Sequence, residues 1–322
     1  MISSSNTPSD RVLIIGGTGF VGARLVPMLA NRNIKLRLLV RDLAKASPLI
    51  PKGADIEVVK GDLVANAGLA AALRGIHTAY YLVHSMGGKT LFKNEEYAEK
   101  DRTAAKNFMA AAEAAGLKRV IYLGGLGETS DNLSEHLRSR AEIAQIISSG
   151  TPKATVLRAA IIIGARGASY EMLRYLVERL PVMITPKWVE TRIQPIAIKD
   201  VLEYLVGCLL NSETAGQNFD IGGPEIFTYV EMMQKYAEAR GLAKRFIIRV
   251  PVLTPMLSAY WVDLVTPISS GIAHPLIEGL RNEVICHDNR IDQYVPITKT
   301  PFKDAVLTAF SEETDGPGVT GF

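Results

Sequence analysis

The sequence predicts an α/β fold, a doubly wound parallel sheet with a smaller C-terminal lobe, and three observations carry that reading. From Arg11 to about Gly164, short β-branched runs alternate with longer helical patterns, the mark of repeated βαβ units. Most of the short runs lack polar alternation, as strands covered on both faces do. Past Gly164 the rhythm becomes irregular, in a chain whose 322 residues exceed the size at which a single core stops growing.

The first six strands are expected at 12–15, 36–40, 56–59, 79–83, 120–123 and 155–158. Helical spacing fills 65–74, 95–115 and 136–148, with stops near Gly75, Gly116 and Gly150. Right-handed crossovers between these strands force helices onto both faces of the sheet. Pro27 fits poorly in the helix after the first strand, where it removes a hydrogen bond. Further on come helices at 170–179, 200–210 and 229–240 and a strand-like run at 218–223. The domain reading is therefore a disordered lead-in at 1–10, a nucleotide-fold domain at 11–164 to which about 194–223 returns, a smaller lobe at 165–310, and a disordered tail at 311–322.

Bulk properties exclude several function classes. A net charge of +3 without a concentrated basic run argues against nucleic-acid binding. Cys208 and Cys286 are isolated, lack metal-ligand spacing, and read as free thiols of a reducing cytoplasmic setting. The polar opening Met1 to Asp10 does not have the form of a secretory signal. No transmembrane segment is expected, peripheral membrane contact stays open, and the oligomeric state is left unset.

The chemistry starts at Gly16-Gly17-Thr18-Gly19-Phe20-Val21-Gly22, which follows an apolar strand and opens a helix. In that context Gly16 makes the tight turn, Gly19 admits a pyrophosphate to the backbone, and Gly22 lets helix and strand pack closely. Free N–H groups at the helix start then face the phosphates, so the expected ligand is a dinucleotide. Its type is set at the end of the second strand, where an acid binds a ribose diol and an arginine pairs with a 2′-phosphate. Val40 is followed by Arg41, with Lys45 one turn on, and the reading is NADP. NAD is the alternative if the strand runs further and Asp42 becomes the ribose-binding acid. Asp62 and Leu63 after the third strand are placed beside the adenine. Val83, His84 and Ser85 after the fourth lie at a carboxyl end of the sheet, where ligands bind.

Together with Ala111-Ala112-x-x-Ala115-Gly116-x-x-Arg119-Val120, Gln194-Pro195-Ile196-Ala197-Ile198-x-Asp200-Val201 and Phe219-Asp220-Ile221-Gly222-Gly223-Pro224, these motifs resemble the short-chain dehydrogenase/reductase superfamily in its extended or atypical branch. Tyr81 to Met86 and Leu123 to Gly127 are similar to the group that includes NmrA-like NADP-binding proteins and the complex I accessory subunit. The resemblance implies a Rossmann sheet, NAD(P) binding, and backbone contact with the nicotinamide at Gly124 and at Ala159 beside Arg158 and Ala160.

The superfamily's chemistry uses a tyrosine and a lysine four residues apart, a serine after the fifth strand and an asparagine on the preceding helix. Here His136 and Arg140 occupy the paired positions, Gly124-Gly125 stands where the hydroxyl is expected, and Asp101 stands for the asparagine. His136 and Arg140 are the catalytic candidates, with Arg140 also expected at the nicotinamide ribose. His136 suits a base better than an acid beside a cation, and it also reads simply as the start of the helix.

Two functions remain open. One is an NADP-dependent oxidoreductase acting on a small apolar molecule, the other a non-catalytic NADP-binding redox sensor or structural and assembly subunit. The apolar run 251–277 reads as core, with a substrate pocket, membrane or partner contact as alternatives, and the polar stretch from Arg281 to Arg290 as a solvated face.

Overall fold

A computed structural model describes residues 10–84, 94–126, 135–250, 267, 269–279 and 282–315. Seven strands pair in parallel, in the order β11-β6-β5-β4-β1-β2-β3. They are β1 Val12–Ile15, β2 Leu36–Val40, β3 Ile56–Lys60, β4 Thr78–Tyr81, β5 Arg119–Gly125, β6 Lys153–Ala159 and, far along the chain, β11 Asn218–Ile221. The order reverses between β1 and β4, which pair from Val12↔Thr78 to Ile15↔Tyr81. A crevice opens at the carboxyl ends of strands at such a reversal.

Helices cover both faces. Val12 and Ile14 of β1 point into one core with Leu25, Val26 and Leu29 of α1 (Gly22–Ala30). Leu13 and Ile15 point into the other, with α3 (Leu69–Leu73), α4 (Asn94–Ala114) and α5 (Glu135–Ser148). This two-sided burial is why the strands read as continuous apolar runs. The short α2 (Leu43–Ala46) follows β2 directly. Pro27 lies inside α1, which nevertheless runs unbroken to Ala30 and is closed by the Asn31 N–H donating to the Pro27 carbonyl.

Beyond β6 the chain forms β7 (Ile162–Ile163), α6 (Ala168–Arg179), β8 (Val182–Pro186), β9 (Arg192–Ile193) and β10 (Ile196–Ala197). It then returns to the main sheet: α7 (Ile198–Leu210) packs its Val201, Tyr204 and Leu205 into the α1 core, and β11 adds to β6. The remainder comprises β12 (Phe227–Thr228), α8 (Tyr229–Ala239), β13 (Phe246–Val250) and helices Ser270–Gly279, Ile291–Tyr294 and Phe302–Asp315. A separate core joins α6, α8, the Ser270–Gly279 helix and the C-terminal helix through residues such as Leu173, Met232, Ile277 and Val306.

Several expectations need correction. The third helix begins at Leu69, not Ala65, because Asp62 and Ala67 form a bridge and Gly68 sits at φ +76°. Gly75 and Gly116 do take positive φ, whereas Gly150 does not; there a side chain would meet Met109. Ser311 to Asp315 are helical, although their composition suggested the start of a disordered tail. Ion pairs hold that last turn down, Arg24 to Glu312 at 3.0 Å and Arg174 to Glu313. Residues 316–322 and most of the lead-in lie outside the described residues.

Glu313 also meets Glu171 of α6, with Arg174 and Tyr170 on the same element beside it. Burial, and then the neighbouring Glu171 carboxyl, push its carboxyl up to about 7 from an ordinary 4.5, against the pull of Arg174. A raised acid stabilises the folded chain below its unfolded value and loses that contribution as pH rises through 7. His84 has the opposite sign: burial and then Arg140 push it from 6.5 down to about 4, so its contribution is present above 6.5 and lost as pH falls to 4. Replacing Glu313 by Gln removes the Glu313 contribution. The melting temperature of the variant, followed from pH 5 to 8 by circular dichroism, should climb relative to wild type by roughly 2–4 °C. Parallel curves for the two proteins would refute the raised carboxyl.

Candidate dinucleotide and substrate site

The turn after β1 is shaped by backbone contacts. Gly16 has φ +85°, and a Cβ there would sit 2.6 Å from the Leu82 carbonyl oxygen at the end of β4. A Cβ at Gly22 would collide with the Gly16 carbonyl oxygen. Glycines at these positions let α1 start directly against the strand, and no side chain caps that start. The result is a bare helix N-terminus at the sheet's reversal point, suited to a phosphate.

Beside it lies a cleft of about 460 Å³. Gly16, Thr18 and Gly19 form its floor, Arg41, Asp62 and Leu63 one wall, and Val83, His84, Tyr97, Lys100 and Asp101 the other. Arg41 and Asp42 part company: Arg41 lines the cleft, whereas Asp42 is the N-cap of α2, its Oδ1 accepting from the Ala44 N–H at 2.9 Å. Lys45 stands exposed on α2, away from the cleft lining. The Asp62 carboxylate accepts from the Val64 and Ala65 N–H groups at 2.8 and 3.0 Å, which fixes the loop after β3 against the cleft.

At the far wall, His84 Nδ1 lies 3.1 Å from Asp101 Oδ2 on α4. Asp101 is buried, and its partner is held below its ordinary pKa, so the imidazole is neutral at pH 7. The sequence reading placed His84 and Asp101 separately and missed their pairing. It also missed Tyr97 and Lys100. The spacing 97, 100, 101, 104 marks one face of α4 and was the available signal.

Across the turn a second cavity, about 180 Å³, opens at the ends of β5 and β6. Phe20 from the glycine turn, Gly124, Gly125 and Ala159 from the strand ends, and Met172 and Leu276 from the lobe line it. Among the described lining residues, Arg140 and Ser169 bring the polar side chains. Arg140 reaches in from α5. Its Nη2 donates to the Leu123 carbonyl at 3.3 Å, while its buried Nε meets no acceptor among the described residues. A Cβ on Gly125 would stand 3.2 Å from both Cδ and Nε of Arg140. A side chain at Gly125 would therefore crowd the Arg140 stem.

The remaining candidates sort clearly. Arg158 turns from the cavity to Asp220 on β11, at 2.6 Å, and Asp220 also accepts from the His287 N–H at 2.9 Å. Gln194 is a buried strut, donating to the Gly223 carbonyl and accepting from the Cys286 N–H. Asp200 ties down Thr300 through its N–H and hydroxyl, both at 2.7 Å. From the polar stretch after the apolar run, Glu283 pairs with Arg192 and Arg290 with Asp288. Ser85, the side chain of His136, and residues 251–266 of the apolar run lie outside the described residues. Further along that run, Ala273 and Ile277 are core and Leu276 faces the cavity.

This cradle fits a dinucleotide: side chains are excluded at the turn, the helix start is bare, and a cleft and a smaller cavity both open beside it. Comparison with known proteins agrees. Residues 16–175 match a family model described as NAD(P)H-binding.

The chain carries an NAD(P)H-binding domain.

The resemblance to the atypical short-chain dehydrogenase/reductase superfamily is consistent with the relatives. A ceramide reductase of Caulobacter vibrioides is 25% identical over 94% of this chain and 93% of its own. A 3β-hydroxysteroid dehydrogenase/Δ5→4-isomerase of Mycobacterium tuberculosis is 33% identical over 37% of this chain, and that match spans only 33% of the enzyme. Among solved structures, the Citrobacter triphenylmethane reductase complexed with NADP(H) superposes with a TM-score of 0.72, at 18% identity, over 92% of this chain and 99% of that one. This last likeness speaks to the fold. Among the described residues no helix is long and apolar enough to cross a membrane.

Proposed function

We propose that the protein is an NADP-dependent reductase of an apolar small molecule. The observation that carries this reading is the placement of two cavities on either side of one glycine turn, a polar cleft suited to a dinucleotide and an apolar pocket with a guanidinium in its wall. A bound reduced dinucleotide would supply hydride at the border between them. Gly16, Thr18 and Gly19 would hold its pyrophosphate, Arg41 its 2′-phosphate, and Asp62 and Leu63 its adenine side. Gly124 and Ala159, at the ends of β5 and β6, keep the border lined by backbone. The apolar walls exclude water from the reacting end. His136 is retained as a proton-handling candidate by position alone, and Arg140 as a contact to whatever lies at the border.

Support for NADP comes from the division of labour between Arg41 and Asp42. A carboxylate already accepting from the Ala44 N–H is a poor ribose ligand, and the guanidinium beside it is left for a phosphate. The ceramide reductase likeness, which spans nearly both chains, favours catalysis over a purely structural role.

The decisive assay follows NADPH oxidation against a panel of ketones, enones and quinones, with NADPH affinity measured in parallel by nicotinamide fluorescence. The expected result is turnover with at least one apolar acceptor. Tight NADPH binding with no turnover across the panel would instead establish the sensor or assembly-subunit reading.

A further inference from the structure

We infer that the apolar cavity receives the carbonyl end of a neutral molecule, and that Arg140 is the group that binds its oxygen. The inference rests on the reductase reading and names the substrate chemistry of that site. Three observations converge on it. The cavity walls are hydrocarbon apart from Arg140 and Ser169, so a ligand gains by burying an apolar body there. At about 180 Å³, it is smaller than the roughly 300–1,000 Å³ of pockets that enclose a drug-sized ligand, so it takes the reacting end of the molecule. Arg140 lines the cavity, its buried Nε–H has no acceptor among the described residues, and an unmet buried donor calls for an acceptor atom, which a ligand brings once the guanidinium swings toward it.

The neutrality of that acceptor follows from the surroundings. Arg140 is near enough to His84 for its charge to lower the imidazole's pKa, and the Asp101 carboxylate hydrogen-bonds the same ring. With the imidazole neutral, the guanidinium and carboxylate near His84 already offset one another. A second anion is not required, and a carbonyl oxygen meets the donor without adding charge. Gly125 makes the arrangement possible, since any side chain there presses on the Arg140 stem.

The chemistry balances simply. A bound reduced dinucleotide would supply hydride to the carbonyl carbon, the C=O π pair would move to oxygen, and bulk water, reached as the product leaves, would supply the proton that completes the alcohol and keep the hydroxide. Two electrons lost by the dinucleotide are gained by the carbonyl. Arg140 does not give up a proton; it donates a hydrogen bond that strengthens as charge builds on the oxygen, the part played by a pre-positioned oxyanion donor.

The test uses three probes with the same aromatic body and different heads: acetophenone, ethylbenzene and benzoate. Binding to the NADP-loaded protein is measured by calorimetry or ligand-detected NMR. Wild type should hold acetophenone at least tenfold tighter than ethylbenzene and no weaker than benzoate. In Arg140→Met the preference for the ketone should vanish, with ethylbenzene affinity kept within about twofold. Gly125→Ser, which crowds the same guanidinium without removing it, should also erode the preference. Equal binding of ketone and hydrocarbon by wild type overturns the inference, as does benzoate binding tenfold tighter than the ketone, or a preference that survives in both variants. NADPH titration of the same samples separates the two levels. Loss of NADPH binding by folded wild type defeats the reductase reading, whereas ketone discrimination is read independently from the probe affinities.

Discussion

Gly22→Ala should reduce NADPH affinity on the order of 100-fold, while Gly17→Ala, five residues earlier in the same motif, should leave it within about threefold. The two glycines look alike in the sequence and differ in what surrounds them. A Cβ at Gly22 runs into the Gly16 carbonyl oxygen, and Gly17 Cα also lies within close range. Those are backbone atoms, so relief requires moving α1 away from the turn. That movement opens the phosphate cradle and forces strain that in packed interiors costs about 1–3 kcal/mol. At Gly17, by contrast, a methyl group would point to Ile14 and Leu38 at 3.5 Å, ordinary van der Waals contact, with no positive φ to relieve. It faces the core rather than the ligand. Fluorescence titration of NADPH and a thermal melt for each variant decide the matter. Comparable affinities for Gly22→Ala and wild type would mean that the turn is not the phosphate site.

Why the turn was readable, and much of the rest was not, comes down to the range of the interactions. β1 and β2 emerged at their observed limits because residues buried on both faces must be apolar along their whole length. β5 and β6 run longer than their β-branched cores, from Arg119 to Gly125 and from Lys153 to Ala159. There the Gly124↔Arg158 and Gly125↔Ala159 pairs of the sheet override poor local propensity. Pairing of strands distant in sequence has no local signature.

The site divides in the same way. Gly16 to Gly22 is a contiguous motif whose constraints are written in seven residues. The His84–Asp101 pair joins a strand end to a helix, and neither residue announces the other. The apolar cavity takes Phe20 from the turn, Met172 from α6 and Leu276 from a helix far down the chain, and only folding brings them together. The Arg140 and Gly125 substitutions were visible as departures from a family pattern. That they lie against one another, a Cβ on Gly125 standing 3.2 Å from the Arg140 stem, is visible only in three dimensions.

Arg41→Ala should weaken NADPH roughly 10- to 30-fold and leave NADH nearly unchanged, and Arg41→Asp should reverse the preference. A hydrogen bond to a charged group contributes about 1.5–3 kcal/mol, and the lower part of that range applies because Arg41 is exposed and solvent screens it. The effect is confined to the 2′-phosphate, so a cofactor lacking it has nothing to lose. Asp42 does not take over in the alanine variant. β2 ends at Val40, and the Asp42 carboxylate is committed to the first turn of α2, where removing it would cost about 1 kcal/mol of helix capping. An aspartate placed at 41 has no such commitment and faces the cleft, where it can accept from a ribose diol. The NADPH preference of wild type should also shrink as salt is raised from 50 to 300 mM, because the contact is an exposed ion pair, whereas NADH affinity should respond little. Wild-type protein that binds NADH as tightly as NADPH at low salt would show that the arginine at the end of β2 is an ordinary surface residue and that the ribose is recognised elsewhere in the cleft.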